Sequence, residues 1–405
     1  MHVVADTKRL VAEGVITDAQ AGELIHRSRE TMMALAINAI LSFGILAATL
    51  GMIFWLADAL AVAVTGLLLL GAGMAILAKG GDLYRMFGNA AALIGAGMLI
   101  GGAAVELLDK HEAVAGPVMT LGGLVLMAVF GWAFARGIGG AGFVMGAILL
   151  MGFAFHIGGL GFWLERAEIG GAARVLFFLY AAAGLAVLGW LVDVRLVTAL
   201  AIAPFAQALD TGTGYFHAAY VFYSPEPALS ILQMVALMIP ALIVVQHYPD
   251  IGGHERLGRH ARILAIMAFV VANLCALVGS LWGDVVGETI FGPAREAFSG
   301  DNAWQDFHDA REAWREGALR ISEGAFTIFW ALALAGMIAY SAWRGNRGMF
   351  NTAMTFAAIH AYTQLFESFG DEPLAYVIGG LAAIPLAWGL WRLNRWFLAE
   401  RAAQA

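Results

Sequence analysis

The stretch ALAVAVTGLLLLGAGMAILA, residues 59–78, carries no charged side chain and is followed by Lys79. A hydrocarbon core about 30 Å thick is crossed by roughly 20 residues of helix rising about 1.5 Å each, and this stretch has that length. It is continuously apolar rather than alternating. In lipid every backbone N–H and C=O must be satisfied inside its own segment, so a helix is expected and a barrel strand is not. Outward from this stretch, similar runs fill almost all of residues 33–397. Twelve are read, near 33–56, 59–78, 86–106, 114–135, 141–162, 173–192, 195–209, 227–247, 261–281, 321–343, 349–366 and 374–394, within a range of 10 to 13, the seventh being the weakest. Composition agrees: 61% of residues are hydrophobic and 13% charged, against roughly 45–50% and about 25% in a soluble domain. The expected fold is all-α, a polytopic transmembrane helix bundle of about 12 spans.

Basic residues resist translocation, so their distribution orients the chain. With the amino terminus in the cytoplasm, 16 of the 23 Lys and Arg fall on the cytoplasmic side. Both termini are therefore expected in the cytoplasm of a bacterial inner, or plasma, membrane, with an even number of spans. Residues 1–32 hold Lys8, Arg9, Glu13, Asp18, Glu23, Arg27 and Arg29, which interrupt any signal-peptide core. Gly14 is expected to end one short helix, and Thr17–Gln20 reads as a capping box opening a second. The domain reading is a cytoplasmic amphipathic helical hairpin at 1–32, a transmembrane helical domain at 33–397, and a cytoplasmic tail at 398–405. So small a hairpin cannot bury enough surface to fold alone; it leans on the cytoplasmic loops or docks a protein partner.

The segments LVAEGVITDAQAGELI (10–25), LSFGILAATLGMIFWLADA (41–59) and NTAMTFAAIHAYTQLFESFGD (351–371), followed by a Gly-rich last helix, resemble an uncharacterised family of bacterial multi-pass membrane proteins, a domain of unknown function. The resemblance spans most of the chain and implies an inner-membrane location, but brings no catalytic or binding residues. The 39 residues between the ninth and tenth runs are longer than that pattern.

Shifting residues 65–109 by 57 positions makes 12 of 45 residues identical, including Gly66/Gly123, Gly95/Gly152 and Gly101/Gly158. Tandem helical hairpins in parallel arrangement are the expectation, although several matches arise by chance in Ala/Gly/Leu-rich sequence. The glycines are read as sites of close helix approach, which replaces the hydrophobic effect inside lipid.

Motifs with a specific chemistry are missing. Gly137, Gly139 and Gly142 spell G-x-G-x-x-G in a loop with no preceding strand, Asp210-Thr211-Gly212 has no second copy, and His111-Glu112 and His254-Glu255 lack a second His four residues on. No Walker A or G-x-S-x-G occurs, and Cys275 is the single cysteine. No catalytic residue, metal site, cofactor or nucleic-acid surface is read, and an enzyme is disfavoured. The oligomeric state is left open.

Polar residues inside the runs remain, each costly in lipid and therefore facing protein or water. His360, Gln364, Glu367 and Asp371 are spaced i, i+4, i+7 and i+11, forming one stripe on the eleventh run. A titratable imidazole above two carboxylates resembles the wall of a polar pathway; the bland reading is bonding to neighbouring helices and solvation at the interface. Pro204 interrupts the seventh run ahead of Asp210 and the aromatic run Tyr215, Phe216, Tyr220, Phe222 and Tyr223. That pattern suits an interrupted-helix binding site or a membrane interface. Asn273 and His156 are read as bonded structural residues. The loop 282–319 is expected to form an amphipathic periplasmic helix through Trp304, Phe307, Arg311 and Trp314. Two functions stand: a transporter or channel-like protein for a small solute or ion, lined by His360, Gln364, Glu367, Asp371 and Asp210, or a non-transporting structural, assembly or sensory protein. Its partners would be the lipid bilayer and, in the second case, a protein held by residues 1–32.

Overall fold

The computed structural model describes residues 7–56, 58–79, 85–137, 142–209, 226–247, 255–294, 297–300 and 302–369, with isolated helical positions between 374 and 392. Among them eight helices are long and apolar enough to cross a membrane, as in a multi-pass membrane protein. The chain divides into two compact units, Met1–Glu168 and Ile169–Ala405.

In the first unit, α1 (Thr7–Ala12) ends at Gly14, whose φ of 72° takes the left-handed turn that glycine favours. The capping box forms: Thr17 N donates to Gln20 Oε1 at 2.9 Å and Gln20 N to Thr17 Oγ1 at 3.2 Å. It opens α2 (Asp18–Leu56), which passes residues 32 and 33 without a break. Its 39 residues make about 58 Å of helix, roughly twice the hydrocarbon thickness.

Two antiparallel hairpins follow, α3 (Ala59–Lys79) with α4 (Arg85–Lys110), and α5 (Glu112–Ala135) with α6 (Gly142–Arg166). Both are joined backbone to backbone. A Cβ on Gly66 would stand 2.4 Å from Leu99 N and 2.7 Å from Gly95 O, and one on Gly123 would stand 2.5 Å from His156 N and 2.6 Å from Gly152 O. One on Gly102 would lie 2.7 Å from Ala63 N, and one on Gly159 would lie 2.6 Å from Thr120 N. Each residue of the first hairpin named here has its counterpart 57 positions on. Only glycine lets helices approach this closely, and that contact supplies the packing energy that lipid does not.

The second unit is built around α11 (Glu255–Trp282), against which α7 (Ala172–Leu191), α10 (Pro227–His247), α14 (Glu323–Trp343) and α15 (Arg347–Phe369) pack. The expected run 195–209 is two six-residue helices, α8 (Arg195–Leu200) and α9 (Ile202–Gln207), with the break at Ala201. Pro204 has no N–H to return to the carbonyl of Leu200, so the ladder parts there. Phe269, Trp330, Leu334, Met349 and Phe356 form one core cluster, and Ile202, Met234, Val271 and Cys275 another. Between α11 and α14 lie a two-residue ribbon of β1 (Asp284–Val285) and β2 (Arg320–Ile321), with Asp284 opposite Ile321, and the helices α12 (Glu288–Phe291) and α13 (Ala303–Gly317). In α13, Arg311 and Arg315 both pair with Glu288, tying this amphipathic helix to α12.

Candidate functional site: a polar seam in the second unit

Helix α15 places His360 and Gln364 one turn apart on the face toward α14. Gln364 Oε1 accepts a hydrogen bond from Thr327 Oγ1 at 3.2 Å. One turn deeper, the His360 ring meets Trp330 edge to face, with centroids 4.6 Å apart. Trp330 Nε1 donates to Asn273 Oδ1 at 2.8 Å, and Asn273 Nδ2 donates to Phe269 O at 2.7 Å. Two linked groups, Thr327–Gln364 and His360–Trp330–Asn273, thus lie one helical turn apart across α11, α14 and α15. In the second the Nδ1 of His360 is buried and has no hydrogen-bond partner among the described residues. Glu367 falls in the last turn of α15 with its side chain outside the description, while Asp371, Asp210 and the aromatic run 215–223 lie outside the described residues. The structure thus brings together two of the five candidate residues and adds Thr327 and Trp330, which local spacing did not single out. Asn273 is bonded as expected, as is His156, whose Nδ1 lies 2.8 Å from Thr120 O.

The Gln364 end of this seam runs toward the start of α14 and the ribbon, where a buried acidic group gathers. Glu226 caps α12: its carboxylate accepts from Gly287 N at 2.6 Å and Thr289 N at 2.9 Å. Asp284 Oδ2 accepts from Ala228 N at 2.7 Å in the first turn of α10. Each carboxylate thus closes a helix start on another segment, satisfying N–H groups that a helix cannot pair internally. Asp284 Oδ1 is buried without a hydrogen-bond partner among the described residues. Burial, reinforced by the charges of Glu226 and Glu288, pushes the Asp284 carboxyl above its ordinary range, against the lowering effect of the Ala228 and Val285 N–H groups.

The other end of the unit holds a second cluster. Asp193, in the left-handed region at φ 56°, turns the chain from α7 into α8. It accepts from Arg259 Nη2 at 2.9 Å and lies 3.0 Å from His260 Nε2. His260 Nδ1 is 2.6 Å from Thr198 Oγ1. With Nε2 protonated, the imidazole donates to Asp193 and accepts from the hydroxyl. The His260 hydrogen bond, followed by Arg259 and Arg256, holds the Asp193 carboxyl below its ordinary range. Hydroxyl, imidazole and carboxylate in line have the connectivity of a nucleophile relay. Yet Thr198 is only 1% exposed, and a Cβ on Gly189 would lie 2.4 Å from its Oγ1. No substrate reaches that oxygen, so the group is a clasp between the α7–α8 turn and α11. Neither terminal cluster was visible in the sequence, since Asp193 and His260 are 67 residues apart and Glu226 and Gly287 are 61 apart.

No group of three or more His, Cys, Asp or Glu able to hold a metal occurs among the described residues. The chain matches no family model, no curated protein and no solved structure.

Proposed function

We propose that the chain is a bacterial inner-membrane protein of about twelve spans, with both termini in the cytoplasm, that moves a small solute or ion. The observation that carries this reading is the buried Nδ1 of His360, one turn from Gln364 and without a hydrogen-bond partner among the described residues. A buried polar atom left unpaired costs about 1–3 kcal/mol, and ionisable residues inside membrane spans mark substrate and ion routes. A permeant species would meet His360 and Gln364, with Glu367, Asp371 and Asp210 completing the path. Purified protein in liposomes tests it. Uptake of at least one species in an ion and metabolite screen, lost on His360→Ala, is expected; no flux of any species contradicts it.

A second reading, a structural, assembly or sensory protein held to a partner through residues 1–32, is favoured by one observation. Val15, Leu24, Ile25 and Met32 are exposed within residues 1–32. Co-purification of a partner with the full chain but not with a chain lacking residues 1–32, together with absent flux, would select it. The likeness to the uncharacterised bacterial family belongs to the same proposal. So does descent of α3–α4 and α5–α6 from one duplicated hairpin, supported by glycine contacts that recur at a 57-residue shift.

A further inference from the structure

His360 stands 13 residues after Arg347 and nine before Phe369 in α15, about 20 and 14 Å of helix, close to the middle of a hydrocarbon core about 30 Å thick. The groups around it differ in what they still have to offer. Thr327 donates its hydroxyl to Gln364 Oε1, Trp330 its Nε1–H to Asn273 Oδ1, and Asn273 an Nδ2–H to Phe269 O. Both amide oxygens have thus received a donor, and an indole has no second N–H. The imidazole is the exception. One of its nitrogens is a donor and the other an acceptor when the ring is neutral, and no hydrogen bond engages either among the described residues. Nδ1 is enclosed, Nε2 is not, and the residue itself is half-buried.

This inventory sorts the permeant classes. A metal cation needs a shell of oxygens, about six to eight for calcium. Among the described side chains the seam offers those of Thr327, Asn273 and Gln364, the two amide oxygens already accepting, and no carboxylate. An anion needs convergent donors, and those of Thr327 and Trp330 are committed to the amides. A proton needs only a free lone pair on a group that titrates near neutrality, which the imidazole provides. Charge is absent around it: α10 carries none from Ala228 to Gln246, α11 none from Ile263 to Trp282, and α14 none from Gly324 to Trp343. The titratable groups on these elements are Cys275 in α11 and, toward the ends of α14, Glu323 and Tyr340; α15 itself adds Tyr362 and Glu367.

We propose that the species moved along this seam is the proton, with the His360 imidazole as its carrier. The inference rests on the transport reading and narrows it from small solutes and ions in general to one ion. A proton taken up at one ring nitrogen gives the imidazolium, the proton on the other nitrogen leaves, and rotation of the ring restores the starting tautomer; no other bond changes. Gln364 and Glu367, at i+4 and i+7 from His360, continue the route toward the end of α15.

The purified full chain in liposomes that enclose a pH-sensitive dye tests this, with a potassium gradient and valinomycin setting an inside-negative potential and no sodium or metabolite present. Wild type is expected to acidify the interior roughly tenfold faster than protein-free liposomes. His360→Gln, which keeps a polar side chain but cannot titrate, should fall to the protein-free rate while the protein stays monodisperse. Acidification by His360→Gln at the wild-type rate overturns the proposal. Wild type that acidifies only at the protein-free rate, yet takes up another ion or a metabolite in a parallel screen, overturns it and leaves the transport reading standing. No movement of any species removes both. Should His360→Gln not fold, diethyl pyrocarbonate, which acylates imidazole, replaces it. Acidification by wild type is then expected to stop and to return with hydroxylamine; a rate that the reagent leaves unchanged overturns the proposal.

Discussion

The two units hold their helices together by different means. In the first, backbones touch: Gly66, Gly95, Gly102, Gly123, Gly152 and Gly159 bring α3 against α4 and α5 against α6 with no room for a methyl group. In the second, side chains reach across: Trp330 to Asn273, Thr327 to Gln364, and clusters around Asp193 and Glu226 at the two ends. Glycine contacts give close backbone seams, and the His156 ring beside one of them is bonded to Thr120 O. Polar contacts leave His360 Nδ1 and Asp284 Oδ1 buried without a hydrogen-bond partner among the described residues. The contrast is one of packing: backbone contact in the first unit, side-chain hydrogen bonds in the second.

The hardest way to break the contrast is at the backbone seams. Gly95→Leu places a side chain where a Cβ already lies 2.2 Å from Leu70 N, so no monodisperse protein is expected on size exclusion. Gly44→Ala, with nothing within 4 Å, should behave as wild type. In the second unit, Asn273→Ala leaves Trp330 Nε1 unpaired. Interhelical hydrogen bonds in membranes average about 0.6 kcal/mol and reach about 1.7, so a loss within about 0.6–1.7 kcal/mol is expected from thermal unfolding in detergent.

The two ends of the second unit should also respond to pH in opposite senses. Asp284 keeps its proton to higher pH in the folded chain than its ordinary value of 3.8. Its contribution is therefore full below that value and is lost as pH rises through the folded pKa. Asp193 has its folded pKa lowered from 3.8. Its contribution is present above that value and is lost as pH falls through the folded pKa. Asp284→Asn should flatten the loss of melting temperature on raising pH from about 4, whereas Asp193→Asn should flatten the loss on acidification. The smallest effect is expected at His156, which occupies in α6 the place that Leu99 holds in α4. His156→Leu should change stability by no more than about 0.6 kcal/mol.

Local chemistry carried much of this into the sequence. The charge-free run 59–78 gives a spanning helix, Thr17 and Gln20 close the capping box they spell, and Pro204 breaks its run three residues upstream. The i, i+4 spacing put His360 and Gln364 on one face but said nothing of what stands opposite. Thr327 and Trp330 lie 37 and 30 residues away on another helix, and only tertiary packing selects them. The capping of α12 by Glu226 escaped for the same reason, since a cap supplied from 61 residues away leaves no local pattern.

The sharpest test uses the chain's single cysteine. In a Cys275→Ala background, single cysteines at 360, 364 and 332 are exposed in sealed vesicles to a membrane-impermeant thiol reagent. A polar pathway predicts labelling of His360→Cys and Gln364→Cys and none of Leu332→Cys, whose native side chain lies on the exposed apolar face of α14. Silence at both 360 and 364 would make the seam a dry helix contact and contradict the account.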